Sequence, residues 1–235
     1  MTEFSHYNGR TAPTKRIPSG TEFYRVVSTE VHKRWGANSY NSTNIAELED
    51  PLHPSTPEHE PAQGRCDPVH DESVCPGGKH LGGYIYLGTD PAAAFAEGVF
   101  RNKRIPDSGR ISRNWLKNKM VARIRLVSDI DVVPLDHTPT LRTLGLNASF
   151  WGATWEVYNH TRVSATDMLV TNPHADGIRY PCRHDPDTTA VIIVERDNPP
   201  ELETLAVSSL ETDGWGFRLF GEYLDKFPEL FLGAT

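Results

Sequence analysis

The stretch Tyr84-Ile85-Tyr86-Leu87-Gly88-Thr89-Asp90-Pro91-Ala92-Ala93-Ala94-Phe95-Ala96-Glu97 constrains the fold more than any other part of this chain. Its first four residues favour a buried strand. Asp90 is a good helix N-cap, and Pro91 suits the first helical position, where its missing N–H would have no partner anyway. The sequence therefore predicts a strand, a short turn and a helix that ends near Lys103. Within that helix Glu97 follows Ala93 and Ala94 by one turn and precedes Phe100 and Arg101 by one turn. A carboxylate on so apolar a face needs a partner. Arg101 would supply one as an ion pair on a solvated helix face, worth only about 0.3–0.5 kcal/mol. The strand tyrosines just upstream suggest a pocket instead.

Composition sets the outer limits. A chain of 235 residues is long enough for one good-sized domain. With 23% charged and 37% hydrophobic residues it has the make-up of a soluble globular protein. A formal net charge of −7 argues against nucleic acid as the main partner, while leaving room for a local basic pocket. No apolar run approaches the roughly 18 residues of a membrane span, and the first 20 residues lack the apolar core of a signal peptide. Cys66, Cys75 and Cys182 are too few and too scattered for a disulfide framework. A reducing cytoplasm is the expected compartment, with no membrane contact.

Residues 1–20 are polar and rich in Pro, Gly, Thr and Ser, and are expected as a loose N-terminal arm. Residues 21–235 are expected as a single domain with a long insertion at about 36–80, rich in prolines, histidines and acids. Strands are predicted at Thr21 to Ser28, Met120 to Val127, Gly177 to Tyr180, Thr189 to Glu195 and Leu202 to Leu210. Helices are predicted after Thr138 and over about 152–170, and a C-terminal amphipathic segment from Trp215 to Phe227. The class is α+β, with short, dispersed strands.

Several side chains could carry chemistry. Arg25 lies inside an apolar strand, where a guanidinium is costly unless it meets an anion. Arg65 sits in a turn-rich segment and Arg183 just beyond a strand end, so the three arginines could form a phosphate cradle. Each also has a plain reading as a surface residue. Cys66, His70, Cys75 and His80 are zinc-ligand types without the usual paired spacing. Cys182 with His184 or His160 would be a nucleophile and base, and is otherwise a buried, inert thiol.

Four segments occur together in a known order: Phe23-Tyr24-Arg25-Val26, Gly64-Arg65-Cys66-Asp67-Pro68, Tyr86-Leu87-Gly88 with Asp90-Pro91 and Ala96-Glu97, and Asp176-Gly177-Ile178-Arg179-Tyr180-Pro181-Cys182-Arg183. In this the chain resembles RES-domain proteins, a family named for its Arg, Glu and Ser positions, over about residues 22–196. The resemblance implies a core like that of ADP-ribosyltransferases, built of short split sheets with flanking helices. It also implies a toxin of a toxin–antitoxin pair, with a cognate antitoxin as partner and NAD as substrate. The expected activity is cleavage of the nicotinamide–ribose bond by water or phosphate. Transfer of ADP-ribose to a protein, or nucleotide binding without turnover, is the alternative. Homo-oligomerisation stays open.

Carried over by position, Arg25 and Arg65 are the family's two arginines, Tyr86 its pocket tyrosine and Glu97 its glutamate. Bond cleavage develops oxocarbenium character on the ribose, for which Glu97 is the stabilising anion. Arg25 and Arg65 would hold the pyrophosphate, and Tyr86 would offer a flat face to nicotinamide. No metal is expected. The chain departs from the family at Cys182, which occupies the serine position beside Arg183 and is a poorer hydrogen-bond partner than a hydroxyl.

Overall fold

The computed structural model describes residues 5–41, 64–101, 103, 105–152 and 157–233. In chain order the elements are β1 (Lys15–Ile17), β2 (Glu22–Ser28), α1 (Thr29–Trp35), β3 (Tyr84–Gly88), α2 (Pro91–Gly98), β4 (Arg110–Ile111), β5 (Lys119–Leu126) and β6 (Ile130–Pro134). They continue with α3 (Thr138–Thr143), α4 (Tyr158–Thr171), β7 (Gly177–Pro181), β8 (Thr189–Val194), β9 (Leu202–Ser209), α5 (Trp215–Leu224) and β10 (Phe231–Leu232). Eight strands make one sheet in the order β1-β6-β7-β8-β3-β2-β5-β9, and β10 pairs with β4 apart from it. All neighbours in the large sheet are antiparallel except β6 and β7. The molecule is α+β.

One junction in that sheet differs from the rest. β2 pairs with β5 along its whole length, from Glu22↔Arg125 to Ser28↔Lys119. β3 pairs equally fully with β8. Between them, β2 and β3 meet at a single pair, Tyr24↔Gly88. Beyond this pair the strands part, and the sheet is split into two halves hinged at one point.

The buried side chains follow this division. One core lies on the β6-β7-β8-β3 half and takes in Ile178, Tyr180 and Ile192 with Met168 and Leu169 of α4. Another lies between the β2-β5 half and α5, around Phe95, Phe100, Val121 and Phe220. A third draws Phe23, Ile85, Ile124, Val132 and Ile193 from both halves, on the face of the sheet turned away from α2. Helix α2 straddles the split. Its Ala93 and Ala96 belong to the first core, and its Ala92 and Phe95 to the second.

The start of α2 is as the sequence predicts, with Asp90 capping the backbone N–H of Ala93 at 2.8 Å and Pro91 in the first turn. Its end is not. The helix stops at Gly98 rather than near Lys103. Gly98 lies against Val26, with no room for a side chain between them, and the turn that follows drives Phe100 into the α5 core.

The first twenty residues also differ from the loose arm expected of them. β1 pairs with β6 from Lys15↔Val132 to Ile17↔Ile130, Ala12 N donates to Asn172 Oδ1 at 2.7 Å, and Asn8 N to Leu144 O at 3.1 Å. Lys-Arg-Ile is too short a signal to mark a strand, which is fixed here by pairing with β6. Most of the expected insertion, residues 42–63, lies outside the described residues. Its last part is buried turn structure: Cys66, Asp67 and Val69 are inaccessible, and Arg162 of α4 donates to Asp67 O at 3.1 Å.

Gly88 closes the hinge. A Cβ there would press on the backbone of Asp90, Ala93 and Ala94, which have no freedom to move aside. Gly88→Ala is therefore expected to destabilise the protein by about 1–3 kcal/mol, read as a lower urea midpoint at unchanged m value. An unchanged midpoint would show that α2 is not seated on this strand end.

Candidate active site

A cavity of about 320 Å³ opens where β2 and β3 part, a volume within the range of small-molecule sites. Arg25 reaches it from β2, Tyr84 and Tyr86 from β3, and Glu97 from the last turn of α2. Among the described residues Arg101, Lys103 and Lys119 complete its charged lining, so four basic side chains share it with one carboxylate in a chain of net charge −7. The local field is thus opposite in sign to that of the whole molecule.

The tyrosine wall is held from behind by a buried carboxylate. Asp67 is fully buried and accepts from Tyr86 OH, Tyr84 OH and Gly64 N, each at 2.7 Å. Tyr86 OH in turn accepts from Cys66 N at 3.1 Å. Burial, and then the charge of Asp67, push both phenols well above the usual tyrosine range, so they remain donors. The turn has to approach this closely. A side chain at Gly64 would come within 2.8 Å of Tyr86 OH and 2.7 Å of Asp67 Oδ1. The ring of Tyr86, fixed at its hydroxyl and set edge-on to Tyr84 at 5.6 Å, is left as a wall of the cavity.

Arg25 has two tasks. Its Nη1 donates to Ala37 O at 2.7 Å and Ser39 O at 2.8 Å, which closes the turn after α1 against the cleft. Burial lowers it to about 10, partly offset by Tyr84, so it is a cation at neutral pH.

Glu97 is held from the other half of the sheet. Tyr180 OH of β7 donates to Glu97 Oε2 at 3.4 Å, and the Tyr180 ring stacks on Trp151 at 5.2 Å. Arg65 lies beside the same ring, 5.6 Å from its centroid, only 1% exposed, with Nη1 donating to Trp151 O at 2.7 Å. Its Nε and Nη2 have no hydrogen-bond partner among the described residues. Burial opposes this charge, but Glu97, followed by Tyr158, Tyr180 and Cys66, more than restores it. Arg65 therefore acts on Glu97 through the low-dielectric interior rather than lining the cavity.

The structure brings Arg25, Tyr86 and Glu97 together around the cavity, and places Arg65 behind them. Cys182 and Arg183 are not in its lining. The Cys182 thiol is buried against α2, donating to Ala93 O at 3.9 Å, and burial, then Glu97, push it well above the usual thiol range. Neither histidine serves it: His184 Nε2 sits 3.4 Å from Arg101 O, and the His160 ring meets that of His6 at 5.7 Å. Cys66, His70, Cys75 and His80 do not converge, and no group of three or more metal-ligating side chains occurs among the described residues.

Three residues of the site were not singled out by the sequence. Asp67 is hidden in a turn whose neighbouring arginine draws the attention. Tyr180 is marked only by its alternation with Ile178 on the buried face of β7. Arg101 reads as a helical partner of Glu97, but α2 ends before it, and the two form no ion pair. Its guanidinium instead lies 5.9 Å from the centroid of the Tyr86 ring.

With this geometry in view, a family model described as RES domain matches residues 35–215. The chain belongs to the RES-domain family. The matched residues take in α2 and the tyrosine wall, while Arg25 on β2 precedes them. No curated protein matches the chain. Among solved structures, it is similar to a chain of the M. tuberculosis MbcT–MbcA toxin–antitoxin complex, at 16% identity, covering 88% of this chain and 90% of that one, with a TM-score of 0.49.

Asp67→Ala would leave two buried phenols and one backbone N–H without their acceptor. It is expected to cost about 1–3 kcal/mol of stability, measured by urea unfolding, and to free the Tyr86 ring from its fixed orientation. Unaltered stability would show that the three bonds contribute nothing.

Proposed function

We propose that this RES-domain protein binds NAD in the cleft and cleaves its nicotinamide–ribose bond. The observation that carries the reading is a carboxylate, Glu97, that shares one cavity with a fixed tyrosine, Tyr86, and, among the described residues, with four cations. A dinucleotide asks for those three things: an anion at the ribose, a flat face for the nicotinamide ring, and positive charge for the pyrophosphate.

As the glycosidic bond lengthens, nicotinamide departs as a neutral molecule and positive charge spreads over the ribose ring. Glu97 stabilises that charge. It need move no proton to do so. Tyr86 holds the nicotinamide ring before the bond breaks, its own hydroxyl engaged by Asp67 and Cys66. Tyr180 and the buried guanidinium of Arg65 hold Glu97 from behind, one by its hydroxyl and the other by its charge. Arg25 supplies positive charge from β2.

The acceptor of the ribosyl group is water or phosphate in this reading, and a protein side chain in the alternative. The thiol of Cys182 is turned to Ala93 and away from the cavity lining, so it contributes no phosphate contact. The family resemblance adds a toxin role and an antitoxin protein as partner. Among the described residues no helix is long and apolar enough to cross a membrane.

Glu97→Gln removes the anion at nearly constant shape. Nicotinamide release from NAD should fall by about 10²-fold or more, followed by chromatography of the digest. Release by the wild-type protein that is unchanged in this variant would end the reading. The same digest with and without phosphate separates ADP-ribose from its phosphorylated counterpart, and labelled NAD would mark a macromolecule if a protein were the acceptor.

A further inference from the structure

The turn after α2 carries a side chain that the roles above leave unused. Val99 and Phe100 are buried, with Phe100 stacked on Phe220 at 6.1 Å and edge-on to Trp115 at 5.8 Å. The next residue, Arg101, is therefore fixed at its backbone, and its side chain turns back over Tyr86 into the cavity. Its Nη1 lies against the Gly64 turn, within 3.0 Å of where a Cβ on that glycine would stand.

A guanidinium has five N–H donors in a planar fork. The Arg101 guanidinium makes no hydrogen bond or ion pair among the described residues, whereas Arg25 binds two carbonyls and Arg65 is sealed from the cavity. The two carboxylates nearby do not take it up. Asp67 already accepts from Tyr84, Tyr86 and Gly64, and Glu97 is engaged by Tyr180. They do keep it charged: burial opposes the charge, but Asp67, then Tyr86, Tyr158 and Glu97, outweigh it. The result is a positioned fork with open donors, over the Tyr86 ring and in the same cavity lining as the Glu97 carboxylate.

We propose that Arg101 holds the pyrophosphate of the ligand and makes the cleft select phosphate-bearing nucleotides over nucleosides. The identity of the full ligand rests on the NAD reading; the preference for pyrophosphate does not. In a dinucleotide the pyrophosphate joins the ribose under attack through its C5′ oxygen, so a cation beside Glu97 and Tyr86 lies within its reach. Arg binds phosphate through two parallel N–H bonds, a geometry that Lys cannot reproduce.

The test is titration calorimetry of the full chain with ADP and, separately, with adenosine. Wild-type protein should bind ADP more tightly than adenosine. In Arg101→Met this preference should fall by at least about tenfold, the size expected for a charge-assisted hydrogen bond, with adenosine binding unchanged. Arg101→Lys, which keeps the charge and loses the fork, should lie between the two and serves alone if the methionine variant does not fold. Equal binding of ADP and adenosine by the wild type overturns the proposal. So does a preference unaltered in Arg101→Met, or in Arg101→Lys where that variant stands alone. A loss of adenosine and ADP binding together would mark a structural role and overturn it as well. Nicotinamide release is scored separately: its absence from wild-type protein sinks the NAD reaction while Arg101-dependent binding of ADP would still stand.

Discussion

The Tyr24↔Gly88 pair is the constraint on which the rest of this molecule depends. Had β2 and β3 paired along their lengths, the eight strands would form a continuous sheet, with backbone groups satisfied by each other and no opening between Arg25 and Tyr86. A single point of attachment leaves the strands free to diverge, and the divergence is the cleft. Such an opening is costly unless something spans it. Helix α2 does so with the smallest side chains available, presenting alanines to one half and Ala92 with Phe95 to the other. The run of alanines follows from that position, since bulkier residues would lift the helix from the Gly88 end of β3. Glu97 reaches the cavity because it lies near the end of the same helix, on the side that neither core occupies.

The charges around the cleft are organised in two tiers. Arg25, Arg101 and Glu97 border the cavity, while Arg65 and Asp67 lie behind it, contributed by one buried turn. Asp67 has its acceptor capacity met by two phenols and a backbone N–H. Arg65 keeps two unmatched donors, an arrangement that would normally be penalised in a protein interior. Its charge is sustained chiefly by Glu97. In a low-dielectric setting, that attraction works over a longer range than it would in water. The inner tier thus shapes the outer one: Asp67 fixes the tyrosine wall, and Arg65 draws Glu97 toward the Tyr180 side of the split.

Much of this was legible in the sequence because it is local. The Asp90-Pro91 cap, the strand at Tyr84 and the central strand at Thr189 each follow from a few adjacent residues, and the family order pointed to Arg25, Arg65, Tyr86 and Glu97. What was not legible depends on contacts between distant segments. The pairing of Lys15–Ile17 with β6 cannot be read from three residues. The end of α2 is set by the meeting of Gly98 with Val26, more than seventy positions earlier in the chain. That single difference removes Arg101 from the helical register in which it would have paired with Glu97. Arg65 looked like a loop residue and proves fully buried, since its turn is pinned by Arg162 and Trp151 from much later in the sequence.

Cys182 can be understood in the same terms. The sequence resemblance sets it at the family's serine position, yet its surroundings here are those of a core residue: 1% exposed, its sulfur turned to the Ala93 carbonyl of α2. A hydroxyl at that depth would need a good acceptor, whereas a thiol tolerates a long, weak contact and packs as a small apolar group. Burial and the nearness of Glu97 both disfavour its thiolate, which removes the reactivity that would make a cysteine hazardous beside a nucleotide. Cysteine at this position therefore suits the helix that covers the split. With Cys182 outside the cavity lining, the positive charge available to an anion in the cleft comes, among the described residues, from Arg25, Arg101, Lys103 and Lys119.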